Sequence, residues 1–196
     1  MEAATPLQID PVPRTARVGA FATNLARLVD TEDRAALAAL RRGLGKAPGD
    51  VAAMHPLVVP YLPDEANPRD DEAWYLVGSL FGLHPEPWRG DGRGPSFGAT
   101  LRRLRDQKGD AGGPGIDRRM VAILNAHRED VGAHLRQAIG LLRGGGIAID
   151  WAHLLRDLLR WDHPDRPAQR QWARDYYRGA SGAPGTSGTP DAATTD

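Results

Sequence analysis

The sequence of 196 residues contains no cysteine at all. Disulfide bonds, thiolate metal ligands and a cysteine nucleophile are therefore excluded. The chain also lacks any apolar run close to the roughly 18 residues that a membrane-spanning helix needs. Its first residues do not show the basic segment followed by an apolar one that is typical of a secretory signal. We therefore expect a cytoplasmic protein without a membrane partner.

Motifs for catalysis are scarce as well. The six histidines are scattered along the chain, and no His-Glu-x-x-His helix supplies the imidazole pair of a zinc enzyme. There is no phosphate-binding loop of the G-x-x-x-x-G-K-[ST] type, and no serine lies in the strand–turn–helix context of a nucleophile elbow. The sequence thus offers no catalytic constellation, and we expect no cofactor and no metal. A metal-dependent nuclease that uses Asp and His stays open as an alternative.

Apolar residues recur with a helical period along most of the chain. A first helix is marked by Phe21, Leu25 and Leu28, and Asp30 or Thr31 is expected to cap the second. No segment shows a sustained alternation with a period of two, which would be typical of strands. We therefore predict an all-α fold built as a helical bundle.

Glycine and proline divide this helical pattern. Residues 84–97 are predicted to form a long loop, and the run GDAGGPG at residues 109–115 predicts a second break between two helices. We therefore predict two small helical subdomains with disordered termini. The predicted bounds are 1–14 for the disordered N-terminus, 15–95 for the N-terminal subdomain, 96–178 for the C-terminal subdomain and 179–196 for the disordered tail.

Aromatic residues of the C-terminal part predict a core contact. Trp151, Leu155 and Leu158 share one helix face, and Trp172 and Tyr176 share a face of the next helix. We expect these two faces to pack against each other.

The net charge of zero conceals an uneven distribution. Residues 96–178 hold 15 basic and 10 acidic residues, a net charge of +5, whereas residues 14–95 carry a net charge of −1. Of the 25 basic residues, 23 are arginine, whose planar guanidinium pairs well with phosphate. The C-terminal half is therefore suited to a polyanionic partner, although a GC-rich genome would produce the same preference for arginine.

Helical spacing gathers many of these arginines into groups. A solvated helix face explains any one group, but several groups with few acidic neighbours favour a surface that binds a polyanion. Because few aromatic residues lie between them, contact with the backbone of nucleic acid is favoured over base stacking. The groups are Arg41 and Arg42; Arg102, Arg103 and Arg105 with Lys108; Arg118 and Arg119; Arg136 and Arg143; and Arg166, Arg170, Arg174 and Arg178.

The run LRQAIGLLRGGGIAIDWAHLLRDLLRWDHPDRPAQRQWARDYY at residues 135–177 closely resembles the small helical subunit of type I-E CRISPR effector complexes (Cascade), the CasB family. Upstream, LRRGLGKAPGD at 40–50, PLVVPYLP at 56–63 and AWYLVGSLFGLH at 73–84 follow in the same order as in that family. The resemblance covers about residues 20 to 178. The loop at residues 85–95 is longer and richer in glycine than the family pattern.

This resemblance implies a non-catalytic subunit of an RNA-guided antiviral DNA-surveillance complex. Such a subunit binds nucleic-acid backbone and supports the guide RNA–target DNA hybrid and the displaced non-target strand, which stabilises the R-loop. The implied partners are the crRNA, the target and non-target DNA strands, the crRNA-binding backbone subunits, the large subunit and a second copy of the chain.

Ten arginines are candidates for contact with nucleic acid. Five lie in segments that match the family, and the other five are selected on helical geometry alone. The first five are Arg41, Arg42, Arg119, Arg128 and Arg136, and the others are Arg27, Arg102, Arg103, Arg118 and Arg143. A helical adaptor that binds only protein, with solvated arginines and no nucleic-acid contact, is the alternative.

Overall fold

The computed structural model describes residues 13–64 and 68–178. In these ranges the chain forms eight α-helices and no β-strand, with one isolated bridge between Pro87 and Ile149. The predicted all-α fold is confirmed. The helices are α1 (Arg14–Asp30), α2 (Arg34–Arg42), α3 (His55–Val58), α4 (Pro68–Leu83), α5 (Phe97–Asn125), α6 (Arg128–Gly144), α7 (Trp151–Leu158) and α8 (Pro167–Arg178).

The first two helices follow the predicted apolar pattern, but the residue that caps the second helix is not one of those predicted. The carboxylate of Asp33 caps α2 and accepts a hydrogen bond of 2.9 Å from the backbone N–H of Ala36. The predicted caps are therefore wrong, because Asp30 is the last residue of α1 and Thr31 follows it directly.

The buried apolar side chains form one continuous cluster with members from both predicted subdomains. Trp74 of α4 contacts Phe21 of α1, with ring centroids 5.3 Å apart. Phe81 of α4 meets Trp151 of α7 edge to face at 5.4 Å, and such ring pairs contribute about 0.5–1.5 kcal/mol beyond area burial. One core thus joins the two predicted subdomains, whose separate identity stays a prediction.

The predicted break at residues 109–115 lies inside α5. Only Gly109 leaves the helical region, with φ 57° and ψ −159°, a conformation that glycine adopts without steric cost. Nε of Arg105 and Oδ1 of Asp117 lie 2.8 Å apart and join the two sides of this kink. The two predicted helical segments are confirmed, but the long break between them is wrong.

The predicted packing of α7 on α8 is largely wrong. Trp151 is buried as expected, but its ring faces α4. α7 lies mainly against α1 and α4, and α8 lies mainly against α5. The two helices are linked by a hydrogen bond of 2.6 Å that Nε1 of Trp172 donates to Oδ2 of Asp157.

The predicted loop before α5 is confirmed and is fastened to the segment before α7. Trp88 donates its backbone N–H to the carbonyl of Ile149 at 2.9 Å, and Ile149 donates to the carbonyl of Glu86 at 3.1 Å. The backbone N–H of Gly94 donates to Oδ2 of Asp150 at 2.9 Å. These bonds position the start of α5 relative to α7.

The segments predicted to be disordered lie mostly outside the described residues, which begin at Pro13 and end at Arg178. Arg14, inside the first of these segments, already belongs to α1, and its Nη2 lies 2.8 Å from Oδ2 of Asp70 in α4. In the described part of the chain, no helix combines the length and apolar character needed to cross a bilayer.

Candidate nucleic-acid interface

Two of the candidate arginines end α2. Arg41 and Arg42 occupy its last turn, where the negative end of the helix dipole favours cations. A Cβ built on Gly82 of α4 would lie 2.4 Å from the backbone nitrogen of Arg41. Only glycine permits this approach, which holds the end of α2 directly against α4.

The loop that follows α2 brings two more cations to the same place. It carries Lys46 and turns towards α6, where a Cβ on Gly45 would lie 3.0 Å from Nη1 of Arg136. We call Arg41, Arg42, Lys46 and Arg136 the first basic surface. All four side chains are exposed, and within residues 13–64 and 68–178 none of them forms an ion pair. Their positive charge is therefore available to a ligand.

A groove of about 460 Å³ runs beside the first basic surface, between the loop at residues 43–48, α4 and α6. Its lining combines apolar side chains with charges of both signs. Three cations against two acids leave this lining slightly positive, and Arg41 and Arg42, which directly precede the lining loop, add positive charge beside it. The lining includes Leu76, Leu80 and Val131, the cations Lys46, Arg128 and Arg136, and the acids Glu72 and Glu129.

Arg128 is a candidate that the structure uses within the fold. Its guanidinium donates to the carbonyl of Leu158 at 2.8 Å and to the carbonyl of Arg69, and its Nε lies 3.6 Å from Oδ2 of Asp162. Only 12% of the side chain is exposed. Arg128 thus joins the start of α6 to α4 and to the end of α7, and its contact with nucleic acid stays a prediction.

Arg102 and Arg103 are neighbours with different surroundings. Nη1 of Arg102 donates to the carbonyl of Tyr176 at 3.0 Å, and its Nε lies 2.9 Å from Oδ1 of Asp106. Arg103 is exposed, and its guanidinium carbon lies 5.3 Å from the ring centroid of Trp88, which is a cation–π distance. Arg102 therefore fastens α5 to α8, whereas the Arg103 cation faces outward over an aromatic ring.

The remaining four candidates are exposed at separate places. Arg27 donates to Oδ1 of Asn24 one turn earlier on α1 at 2.9 Å. Arg119 donates to the carbonyl of Gly115 at 2.9 Å, and Arg118 precedes it on α5. Arg143 lies in the last turn of α6. None of these four lines the groove beside the first basic surface.

Sequence reasoning did not select Lys46. Lys46 and Arg136 line the same groove because the loop after α2 reaches α6 at Gly45, and residues so distant along the chain give no local signal of that arrangement. The flanking glycines in LRRGLGKAPGD are the one local hint of a close backbone approach.

Metal-ligating side chains do not gather in the described part of the chain, where no group of three His, Asp or Glu residues could hold a metal ion. The two fully packed histidines have protein partners: Nε2 of His84 lies 2.8 Å from the carbonyl of Ile147, and Nδ1 of His153 lies 3.2 Å from the carbonyl of Gly94. Both imidazoles are thus accounted for by contacts inside the fold.

Comparisons with known proteins agree with this architecture. The family model described as CRISPR-associated protein Cse2 matches residues 36–177. A curated CRISPR-associated protein Cse2 from Thermus thermophilus is 41% identical over 144 residues, which cover 73% of this chain and 79% of that protein. The family match runs from the first turn of α2 to the last turn of α8 and so contains the whole first basic surface.

Solved structures share the fold. A chain of the CRISPR RNA-guided surveillance complex, pre-nicking, superposes with a TM-score of 0.73 at 30% identity, covering 85% of this chain and 95% of its own. CasB from M. ruber superposes with a TM-score of 0.68 at 27% identity, covering 84% of this chain and 94% of its own. The predicted resemblance to CasB is confirmed, and the chain belongs to the CRISPR-associated Cse2 family.

Proposed function

We propose that this chain is the non-catalytic small subunit of a type I-E RNA-guided DNA-surveillance complex. In that complex it binds nucleic-acid backbone and supports the guide RNA–target DNA hybrid and the displaced strand. Membership of the Cse2 family and the likeness to a chain of a CRISPR RNA-guided surveillance complex support this proposal. Its partners are the crRNA, both DNA strands, the other protein subunits and a second copy of the chain.

The first basic surface is the single observation that carries the nucleic-acid contact. Its four exposed cations have no anionic partner among the described residues. Cations that contact phosphates release condensed counterions, which supplies affinity without reading the sequence. Opening a DNA duplex against a guide RNA is nearly balanced in free energy, so a few such contacts shift the balance towards the opened state.

Arg41, Arg42 and Arg136 lead the candidates because they belong to this surface, and Lys46 joins them. Arg102 and Arg128 are placed outside the leading set, because their donors already bind carbonyls and carboxylates of the fold. Contacts by Arg27, Arg103, Arg118, Arg119 and Arg143 stay secondary proposals.

The test is to assemble the surveillance complex with the parent chain or with the triple variant R41A/R42A/R136A. Permanganate reactivity of the displaced strand and affinity for target DNA are then measured. Each charge-assisted phosphate contact contributes on the order of 1 kcal/mol, and because contributions of neighbouring residues such as Arg41 and Arg42 do not simply add, the three together are expected to contribute about 1.4–2.8 kcal/mol. We expect about 10- to 100-fold weaker target binding and less opened duplex, with guide RNA still bound.

R34A/R69A/R89A is the matched control, since it removes three exposed arginines that lie outside the first basic surface. The control is expected to open the duplex like the parent. Equal opening by the triple variant, with its incorporation shown by gel filtration, would contradict the proposal and would favour an adaptor that contacts only protein.

A further inference from the structure

A second concave surface lies along α8. It consists of two adjoining depressions of about 610 and 500 Å³, which share Ala99, Gln171 and Asp175 as lining residues. The loop before α5, the end of α7 and the start of α8 enclose the larger depression. Neither depression shares a lining residue with the groove beside the first basic surface.

Four arginines line this surface, and we call Arg93, Arg160, Arg174 and Arg178 the second basic surface. All four are exposed. Nη2 of Arg93 lies 2.7 Å from Nε2 of His153, and because a guanidinium only donates, the imidazole nitrogen accepts. The side chains of Arg160, Arg174 and Arg178 form no ion pair with any residue that the structure describes.

The acids in the same depressions already have partners inside the protein. Asp175 accepts hydrogen bonds from Oγ of Ser96 at 2.5 Å and from Nε2 of Gln171 at 2.8 Å. Asp157 accepts from the indole of Trp172, and burial raises the pKa of its carboxyl group. Four arginines against two carboxylates leave the lining of the two depressions net positive, and the hydrogen bonds fix both carboxylates to the protein.

The exposed face of α8 has a spacing that suits a linear polyanion. Arg174 and Arg178 are one helical turn apart, a rise of about 6 Å, which is comparable to the distance between successive phosphates of an extended strand. Arg170 lies one turn earlier on the exposed side. Tyr177, which exposes 46% of its surface beside these arginines, offers a ring on which an unpaired base can stack.

We propose that the second basic surface binds the backbone of a single nucleic-acid strand, at a site separate from the first basic surface. The inference rests on the proposed function and adds to it a distinct binding site. A subunit with two such surfaces is able to hold two strands at the same time, one on each surface.

Its test uses the full-length chain and a fluorescein-labelled oligothymidylate, whose anisotropy is measured over a salt series. Binding at one surface would hide a loss of binding at the other. The substitutions are therefore made in the R41A/R42A/R136A background, in which the first basic surface has lost three of its cations. That background is expected to retain binding through α8. Adding R160A/R174A/R178A should lower the slope of log affinity against log salt by about 2, since single strands contribute roughly 0.7 per phosphate contact.

Adding R34A/R69A/R89A instead provides the charge-matched control, and it should leave the slope unchanged. Adding Y177A alone should weaken single-strand binding about fivefold or more and leave duplex binding unchanged, because only unpaired bases stack on a side chain. Circular dichroism melting verifies that every variant is folded.

Two results would overturn the inference while leaving the proposed function intact. One is a loss of all binding already in the R41A/R42A/R136A background, which would place the whole affinity on the first basic surface. The other is an α8 variant that binds like its control but fails to enter the assembled complex, which would make α8 a protein contact. Failure of the proposed function looks different, since R41A/R42A/R136A would then open target DNA as well as the parent.

Discussion

Two arginines of α6 differ in what their side chains bind: one binds groups inside the fold and the other is exposed to solvent. Arg128, in the first turn, is nearly enclosed and gives its donors to the carbonyls of Leu158 and Arg69. Arg136, about two turns later, is exposed and lies beside Gly45 without an anionic partner in the described part of the chain. Both lie in the part of the chain that the Cse2 family model matches, and the sequence gives both the same rank as candidates for phosphate contact.

The difference between them lies in the backbone groups that surround each guanidinium. Carbonyls at the end of α7 and the start of α4 accept hydrogen bonds from Arg128, and a helix end in particular leaves carbonyls that need a donor. Around Arg136 the neighbouring backbone belongs to a loop on the surface, so its donors stay directed at solvent. A count of positive charges along a helix therefore overstates the charge that is free for a ligand.

Replacing Arg128 is expected to give the largest effect on stability. R128A removes charged donors from two carbonyls at a nearly enclosed site, which should lower the free energy of unfolding by about 2–3 kcal/mol. Urea denaturation measures this loss, with R136A as the matched variant, whose change should stay within about 0.5 kcal/mol. Equal stability of R128A and R136A would remove the contrast between the two arginines.

An intermediate effect is expected at a carboxylate that pairs with a third arginine, across the kink of α5. Arg105 pairs with Asp117, and Asp117 also accepts a 2.6 Å hydrogen bond from the hydroxyl of Tyr176. Y176F should cost about 1 kcal/mol, since a hydrogen bond to a charged group is lost but the carboxylate is partly solvated. Thermal or urea unfolding at neutral pH measures this difference between Y176F and the parent.

The same variant has a defined pH dependence. The hydrogen bond from Tyr176, followed by that from Arg105, lowers the pKa of Asp117 from its ordinary value of 3.8. The folded state therefore binds this proton less readily than the unfolded state, and the stabilisation is present above pH 3.8 and lost as the pH falls through the lower value. The stability difference between parent and Y176F should shrink below pH 3.8. A difference that grows on acidification would show that Asp117 is not the acceptor concerned.

The smallest effect is expected for Arg136 alone. In the R160A/R174A/R178A background, which leaves binding to the first basic surface, R136A should reduce the salt slope of nucleic-acid binding by about 0.7–0.9, the contribution of one phosphate contact, with an unchanged melting temperature. Fluorescence anisotropy over a salt series measures it, and R34A serves as the control on a solvated helix start. A slope identical to that of R34A would mean that Arg136 is solvated in the same way.

Local interactions explain what the sequence predicted well. The period of Phe21, Leu25 and Leu28 predicted α1 because each buried side chain is placed by the helix itself. The kink in α5 was harder to predict, because GDAGGPG favours a long interruption. Contacts from Arg105 and Tyr176 to Asp117 hold the second segment close to the first, and such tertiary contacts leave no trace in glycine content.

The residues of the candidate site likewise fall into those that the local sequence predicts and those that depend on tertiary contacts. Arg41 and Arg42 were predictable because they are adjacent and end a helix. Lys46 was not, since its place in the same groove as Arg136 depends on how a loop packs on a distant helix. The internal role of Arg128 could not be predicted either, because backbone carbonyls accept its hydrogen bonds and every residue type carries one.

The cation–π contact between Arg103 and Trp88 has an optical consequence. Four of the five tryptophans, Trp74, Trp151, Trp161 and Trp172, are at most 3% exposed, whereas Trp88 is only half-buried. Collisional quenchers such as acrylamide therefore reach Trp88 first, and its share of the emission can be isolated without a label. A phosphate that draws the guanidinium of Arg103 off the indole ring changes the share of emission that comes from Trp88. The intrinsic fluorescence of the chain therefore reports whether a phosphate is bound at Arg103.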